Sequence, residues 1–166
     1  PGFSQTFDAV DIENAPIRTI GDLIELKCPA FALGGSPREG LQIGGRGFTS
    51  ENTWRTLYLI DGHNVNHRVH FGMLDTISTP VLGDIKRLEV ITGLGAIVHG
   101  SGAFDGFINV TPRNGTDDVG LTTSLEYGYR EDLRKLEVGY GYSYGPGRDV
   151  YLHAAYFTAD GFEADD

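Results

Sequence analysis

The sequence predicts an α+β domain, a small mixed β-sheet with short helices, followed by an antiparallel β-meander. Three observations carry that expectation. Residues 85–110 hold two β-prone runs, one with Leu88, Val90 and Ile91 and one with Phe107, Ile108 and Val110. Between the runs lie Gly93, Gly95, Gly100, Gly102 and Gly106, with Leu94, Ala96, Ile97 and Val98 forming a short apolar segment among them. Residues 19–27 place Ile20, Leu23, Ile24 and Leu26 at helical spacing, and Pro29 ends that pattern. After Asn114-Gly115 the chain alternates apolar and polar residues with a period of two.

Taken in order, residues 5–12 read as an opening strand anchored by Phe7 and Val10. The amphipathic helix over 19–27 follows the break at Pro16. Residues 34–40 are a loop by composition, and a strand over 41–46 follows, with a bulge or kink expected at Gly44-Gly45. Residues 49–55 form a polar loop carrying Trp54, the only tryptophan. A buried strand over 56–60 runs into a tight turn at Asp61-Gly62, and 63–74 is long and irregular. The glycine-rich centre parses as a strand near 87–92, a turn, a helix near 94–99, a second turn and a strand near 107–111.

Composition removes several function classes. The formal charge is −10 and no Lys/Arg cluster is present, which excludes a nucleic-acid surface. Cys28 is alone, so no intrachain disulfide forms, and its neighbours Leu26, Pro29, Ala30 and Phe31 suggest a buried structural thiol. No run of 18 apolar residues exists to make a transmembrane helix. No signal peptide is visible, which says nothing about compartment.

Motifs of catalysis and cofactor binding also fail. Val98 stands where the third glycine of G-x-G-x-x-G belongs, and Ser101 follows Gly100 where a P-loop needs Lys. Ser101 lacks the nucleophile frame, and Asp160-Gly161 with Asp165 is too incomplete for a calcium loop. His63, His67 and His70, with Asp61 and Asp75, are the best metal candidates, because H-x3-H could align two imidazoles on a helix. Asn64, Val65, Asn66 and the adjoining glycine turn argue against a helix there. A loop presenting His and Arg to a ligand, or solvated residues with no role, are the competing readings. No catalytic residue, resident metal or cofactor is assigned.

Residues 85–111 resemble the central motif of the plug (cork) domain of TonB-dependent outer-membrane receptors. Ile85, Arg87, Leu88, Glu89, Val90, Gly93, Gly100, Ala103, Gly106, Ile108, Asn109, Val110 and Thr111 fall on that pattern in register. Two further family signatures precede it, Arg46-Gly47-Phe48, and Leu59-Ile60-Asp61-Gly62 followed by Val65-Asn66. The chain departs from the pattern at Thr92, where an arginine is usual, and at Leu94, where a proline is usual.

The resemblance implies a plug over residues 1–116 and the first, incomplete strands of a transmembrane β-barrel over 117–166. Leu121, Thr123, Leu125, Tyr127 and Tyr129, then Leu136, Val138, Tyr140, Tyr142 and Tyr144, and less cleanly Val150, Leu152, Ala154 and Tyr156, alternate as barrel strands do. A soluble meander has the same period, and only the plug-like sequence ahead of it favours the barrel. Three strands cannot close a barrel, which takes about eight or more.

The implied function is uptake of a scarce nutrient (a metal chelate, cobalamin or a saccharide) across the outer membrane of a Gram-negative bacterium. The plug would close the lumen until energised through TonB, contacted by a periplasmic segment expected upstream of Pro1. By loop location the ligand would meet Arg38, Trp54, Arg55, His67, Arg68 and His70. In the family Arg46 is held against barrel glutamates and locks plug to wall; with Thr92 replacing the second arginine, half of that lock is missing. The alternatives are a soluble metal-dependent hydrolase built on His63, His67 and His70, and a structural adhesion module. Without the rest of its barrel, the aromatic face of residues 121–159 would be exposed and open to self-association.

Overall fold

A computed structural model describes residues 3–36, 40–45, 53–67, 77–93, 102–129 and 132–160. The chain divides into two compact units, Pro1–Pro112 and Arg113–Asp166.

The first unit is built on a five-stranded mixed sheet. Its strands are β1 (Phe3–Asp8), β4 (Thr56–Ile60), β5 (His63–Asn64), β6 (Ile85–Thr92) and β7 (Gly106–Pro112), in the order β1-β6-β7-β4-β5. All neighbours are antiparallel except β4 and β7, which run parallel with Thr56 opposite Gly106 and Ile60 opposite Val110. The period-two pattern sorts the side chains. Phe7, Leu88, Val90, Ile108, Val110 and Tyr58 share a core with Ile12 of α1 (Ala9–Asn14) and Ile20, Leu23 and Ile24 of α2 (Ile20–Lys27). A smaller apolar cluster gathers the alternate strand positions Leu57, Leu59, Ile91 and Phe107 with Ala103, which precedes β7.

Both helices begin at capping boxes. Thr19 Oγ1 accepts from the Asp22 N–H at 3.1 Å, while Asp22 Oδ2 accepts from the Thr19 N–H at 2.9 Å. Asp8 and Asp11 reciprocate in the same way at 2.9 and 3.2 Å. The second box corrects the sequence reading: Val10 lies in α1 and not in the opening strand, because the Asp8 cap turns the chain. Cys28 is buried as expected, and its thiol donates to Gln5 Oε1 at 2.9 Å.

Residues 34–36 and 40, expected in a loop, also differ from expectation. Phe31–Ser36 forms β2, paired antiparallel with β3 (Gly40–Gly45) in unbroken register from Phe31–Gly45 to Ser36–Gly40. Gly44 and Gly45 take ordinary ladder positions opposite Ala32 and Phe31, so the expected bulge is absent. The expected strand over 56–60 and the Asp61-Gly62 turn are present, both turn residues having positive φ, 50° and 76°. Residues 63–64, expected to be irregular, form the short strand β5. The helix expected near 94–99 lies outside the described residues.

The second unit is an antiparallel sheet of β8 (Gly120–Gly128), β9 (Leu133–Gly145) and β10 (Arg148–Thr158), with β9 in the middle. Leu121, Tyr140 and Leu152 lie side by side across the three strands, as do Leu125, Leu136 and Tyr156.

Candidate functional site

Strand direction gathers chemistry at one end of the five-stranded sheet. β4 and β7 both start there and β6 finishes there, so the turn at 53–55 meets 93 and 104–105. The Asp105 N–H donates to the Arg55 carbonyl at 3.0 Å, and the Gly93 N–H to the Asp105 carbonyl at 3.5 Å. Arg55 then closes a bidentate pair, Nε to Asp105 Oδ2 and Nη2 to Oδ1, both at 3.0 Å. The Asp105 side chain is only 3% exposed against 39% for Arg55, so the arginine serves first to neutralise a buried carboxylate.

That pair holds an exposed aromatic surface. The Arg55 guanidinium carbon lies 5.9 Å from the Trp54 ring centroid, within cation–π range. Trp54 meets Phe104 edge to face at 5.9 Å, and the two side chains remain 44% and 63% exposed. Phe104 was not anticipated. It sits inside the Ala103-Phe104-Asp105-Gly106 run, which reads as turn and packing, and an aromatic between two glycines, Gly102 and Gly106, was the available signal.

Asn66 brings His67 to the same end. Its side chain accepts from the Tyr58 N–H at 2.7 Å and donates to the Thr56 carbonyl at 3.0 Å, extending the ladder along β4. His67 is the next residue after Asn66 and is exposed. Of the residues expected to face a ligand, Trp54, Arg55 and His67 are thus placed at one end of the sheet. Arg38, Arg68 and His70 lie outside the described residues, as does Arg46.

Of the histidine metal candidates, His63 and His67 lie at opposite ends of β4, and His70 and Asp75 lie outside the described residues. His63 is opposite Ile60, with Nδ1 3.0 Å from the Asp61 carbonyl oxygen, at the far end of β4 from Asn66 and Thr56. Four residues of strand separate the two ends, on the order of 13 Å. Among the described residues no group of His, Cys, Asp and Glu could hold a metal ion.

The polar residues of the central motif hold the far end together. Asn109 Nδ2 donates to Glu89 Oε2 at 3.0 Å, and Asn109 Oδ1 accepts from the Gly62 N–H at 3.0 Å. Arg87 Nε lies 3.5 Å from Glu89 Oε1. Thr92, standing where the family pattern has arginine, is 9% exposed and donates to the Phe3 carbonyl at 3.4 Å, tying β1 to β6.

In the second unit the usual relation of burial to polarity is inverted. Leu125, Leu152 and Tyr156 are 82%, 63% and 67% exposed, whereas Lys135 and Glu137 on the opposite face are 8% and 6% exposed. Lys135 Nζ reaches Glu126 Oε2 at 3.0 Å and Glu137 Oε2 at 3.7 Å, so the buried charges are compensated. An apolar outer face with a paired, charged inner face suits a wall between hydrocarbon and a polar lumen. Among the described residues no helix is long and apolar enough to cross a membrane, a fact that leaves crossing by strands open.

Residues 1–107 match the TonB-dependent Receptor Plug Domain family. The probable TonB-dependent siderophore receptor PirA of Acinetobacter baumannii is 30% identical over 175 residues, covering 94% of this chain and 22% of that protein. The vitamin B12 transporter BtuB of Vibrio vulnificus is 36% identical over 93 residues, 52% of this chain and 15% of that one. The crystal structure of PirA from Acinetobacter baumannii superposes with a TM-score of 0.70 at 21% identity, covering 94% of this chain and 24% of that one. The ferric enterobactin receptor PfeA of Pseudomonas aeruginosa gives 0.69 at 20% identity over 94% of this chain and 24% of that one. Those structural likenesses establish the fold. The chain spans about a fifth of the length of the PirA relative. The relatives are a receptor and a transporter, and they give the hydrolase alternative no support. The match takes in both helices and reaches into β7, and the chain belongs to the plug-domain family of TonB-dependent receptors.

Proposed function

We propose that the chain is the plug and the first wall strands of an outer-membrane receptor that imports a ferric siderophore in a TonB-dependent manner. The inverted sheet carries the reading: Leu125 and Tyr156 face outward while Lys135 and Glu137 are buried. A soluble sheet of this size would bury its leucines and tyrosines, whereas a wall strand presents them to lipid. On this reading the first unit, to Pro112, closes the lumen and the second, from Arg113, begins the barrel, a division four residues earlier than the 116/117 expected from the sequence, in the outer membrane of a Gram-negative bacterium. The TonB contact is assigned to a periplasmic segment preceding Pro1, and Arg46 to the lock between plug and wall.

The PirA match extends over 94% of the chain and the BtuB match over 52%, which favours a siderophore over cobalamin. We assign ligand contact to the sheet end bearing Trp54, Arg55 and His67, with Phe104 added and Arg38, Arg68 and His70 retained from their loops. The exposed Trp54–Phe104 pair supports this, since aromatic faces beside a cation suit a flat, electron-rich ligand.

The test is a titration of the full-length receptor in lipid vesicles with a ferric catecholate chelate and, separately, with cyanocobalamin. Trp54→Ala and His67→Ala should each weaken chelate binding about tenfold while the unfolding midpoint in urea stays unchanged. Unchanged affinity in both variants would remove the ligand from this end of the plug. Tight cobalamin binding without chelate binding would overturn the siderophore assignment.

A further inference from the structure

The passage from β7 to β8 invites description as a linker, but its contacts are those of a clasp. Arg113 Nη1 bonds Asp118 Oδ1 at 2.9 Å, with side chains only 13% and 18% exposed. Asn114 Oδ1 accepts from the N–H groups of Thr116 and Asp117 at 3.0 and 2.8 Å, and the Asp118 N–H returns to the Asn114 carbonyl at 3.1 Å. The Gly115 N–H donates to Asp149 Oδ2 on β10 at 2.7 Å, a short charge-assisted bond.

Two glycines let this turn press on the wall. A Cβ on Gly115 would run into the backbone carbonyl of Val150 and lie 2.7 Å from that of Tyr142. A Cβ on Gly141 of β9 would strike the Asp118 carbonyl. The contacts are backbone on backbone, with no flexible side chain to give way. β7 is still paired at Pro112, opposite Ile85, and Arg113 already belongs to the clasp. No slack separates the last ladder residue from the first clasp residue.

We infer that residues 113–118 are a fixed anchor belonging to the wall sheet, which pins the C-terminal exit of the plug. The anchor rests on this chain's own contacts and, for the identity of plug and wall, on the receptor reading above. Its consequence is one of stability: residues 113–118 should open together with β9 and β10 and not with β7.

Hydrogen exchange on the full-length receptor in lipid vesicles, with increasing urea, tests this without any ligand. Amides of 114–118 should keep the protection of β9 and β10 after those of β1, β6 and β7 have become exchangeable. Loss of protection together with β7, or free-peptide rates in the absence of urea, would overturn the anchor. If plug and wall open together, Asp149→Ala decides. Losing the charge-assisted bond should speed exchange at 114–118 about tenfold and leave β6 and β7 unchanged. No acceleration would likewise overturn it. The ligand assignment could fail while this result stands, since neither arm contains a ligand.

Discussion

Asn109 Nδ2 donates to Glu89 Oε2 at 3.0 Å, and the same asparagine accepts from the Gly62 N–H on its other side. Two motifs far apart in sequence, the Asp61-Gly62 turn and the Glu89 strand, therefore meet on one side chain of β7. The residues by which the family is recognised here do structural work at the end of the sheet opposite Trp54. Asn109→Ala leaves the turn amide and the Glu89 carboxylate short of a partner. It should lower plug stability by about 1–3 kcal/mol in urea unfolding. Ligand affinity, measured well below the unfolding midpoint, should not change.

Arg55 and Asp105 give a different expectation. Removing the guanidinium leaves a carboxylate that is 3% exposed without its bidentate partner. Because Arg55 itself is 39% exposed, solvent screens part of the loss, and Arg55→Ala should cost about 1–2 kcal/mol. Arg55→Ala with Asp105→Asn should recover most of it, since the charge that needed compensation is gone. A double variant no more stable than the single one would show that the arginine acts through Trp54 instead.

Burial pushes the Cys28 thiol up to about 11, and burial together with the Asp84 charge pushes Tyr58 up to about 12. Both groups are neutral at physiological pH, and both folded values lie above the unfolded ones of 9.0 and 10.0. The stability they confer is therefore complete below pH 9 and is lost as pH rises through 9 to 11 for Cys28 and 10 to 12 for Tyr58. Cys28→Ser should flatten the first part of that decline. A neutral thiol also reacts slowly, so iodoacetamide at pH 7.5 should label Cys28 only after unfolding.

How far the fold could be read from the sequence depended on what each segment offered. The strand Thr56–Ile60 was legible because five strand-prone residues end at an Asp-Gly turn. The long strands β8 and β9 were legible from alternation and β10 from a less clean version of it, although alternation alone left membrane and soluble sheets open. β2 was obscured by Gly34, Gly35 and Ser36, whose loop-like composition is overridden by six rungs of pairing to β3. The α1 boundary was obscured by Val10, an apolar residue that fits a strand pattern and lies on a helix 63% exposed. At the candidate site the loops pointed to Trp54, Arg55 and His67 by position. The Arg55–Asp105 pair and Phe104 depend on contacts 50 residues apart in sequence, which no local pattern encodes.

The isolated chain should behave differently from the complete receptor. Leu121, Leu125, Leu152 and Tyr156 are 63–82% exposed, and β8 and β10 each have an open edge within the described sheet. Burial of apolar surface is worth about 25 cal/mol per Å², so this face has a strong incentive to be covered. Light scattering should find the 1–166 chain associated in the absence of lipid or detergent. A chain ending at Thr116 should be monomeric.

In the proposed receptor one face of β8, β9 and β10 meets lipid and the other does not. Single nitroxide labels along these strands in the vesicle-embedded receptor read this directly through collisions with oxygen and with a water-soluble nickel chelate. Positions 121, 123, 125, 136, 138, 140, 152 and 154 should be reached by oxygen and shielded from the chelate. Their neighbours 122, 124, 126, 135, 137 and 153 should show low oxygen access, giving a period of two along each strand. Chelate access at 125, 136 and 152 matching that of a water-exposed loop would contradict the account.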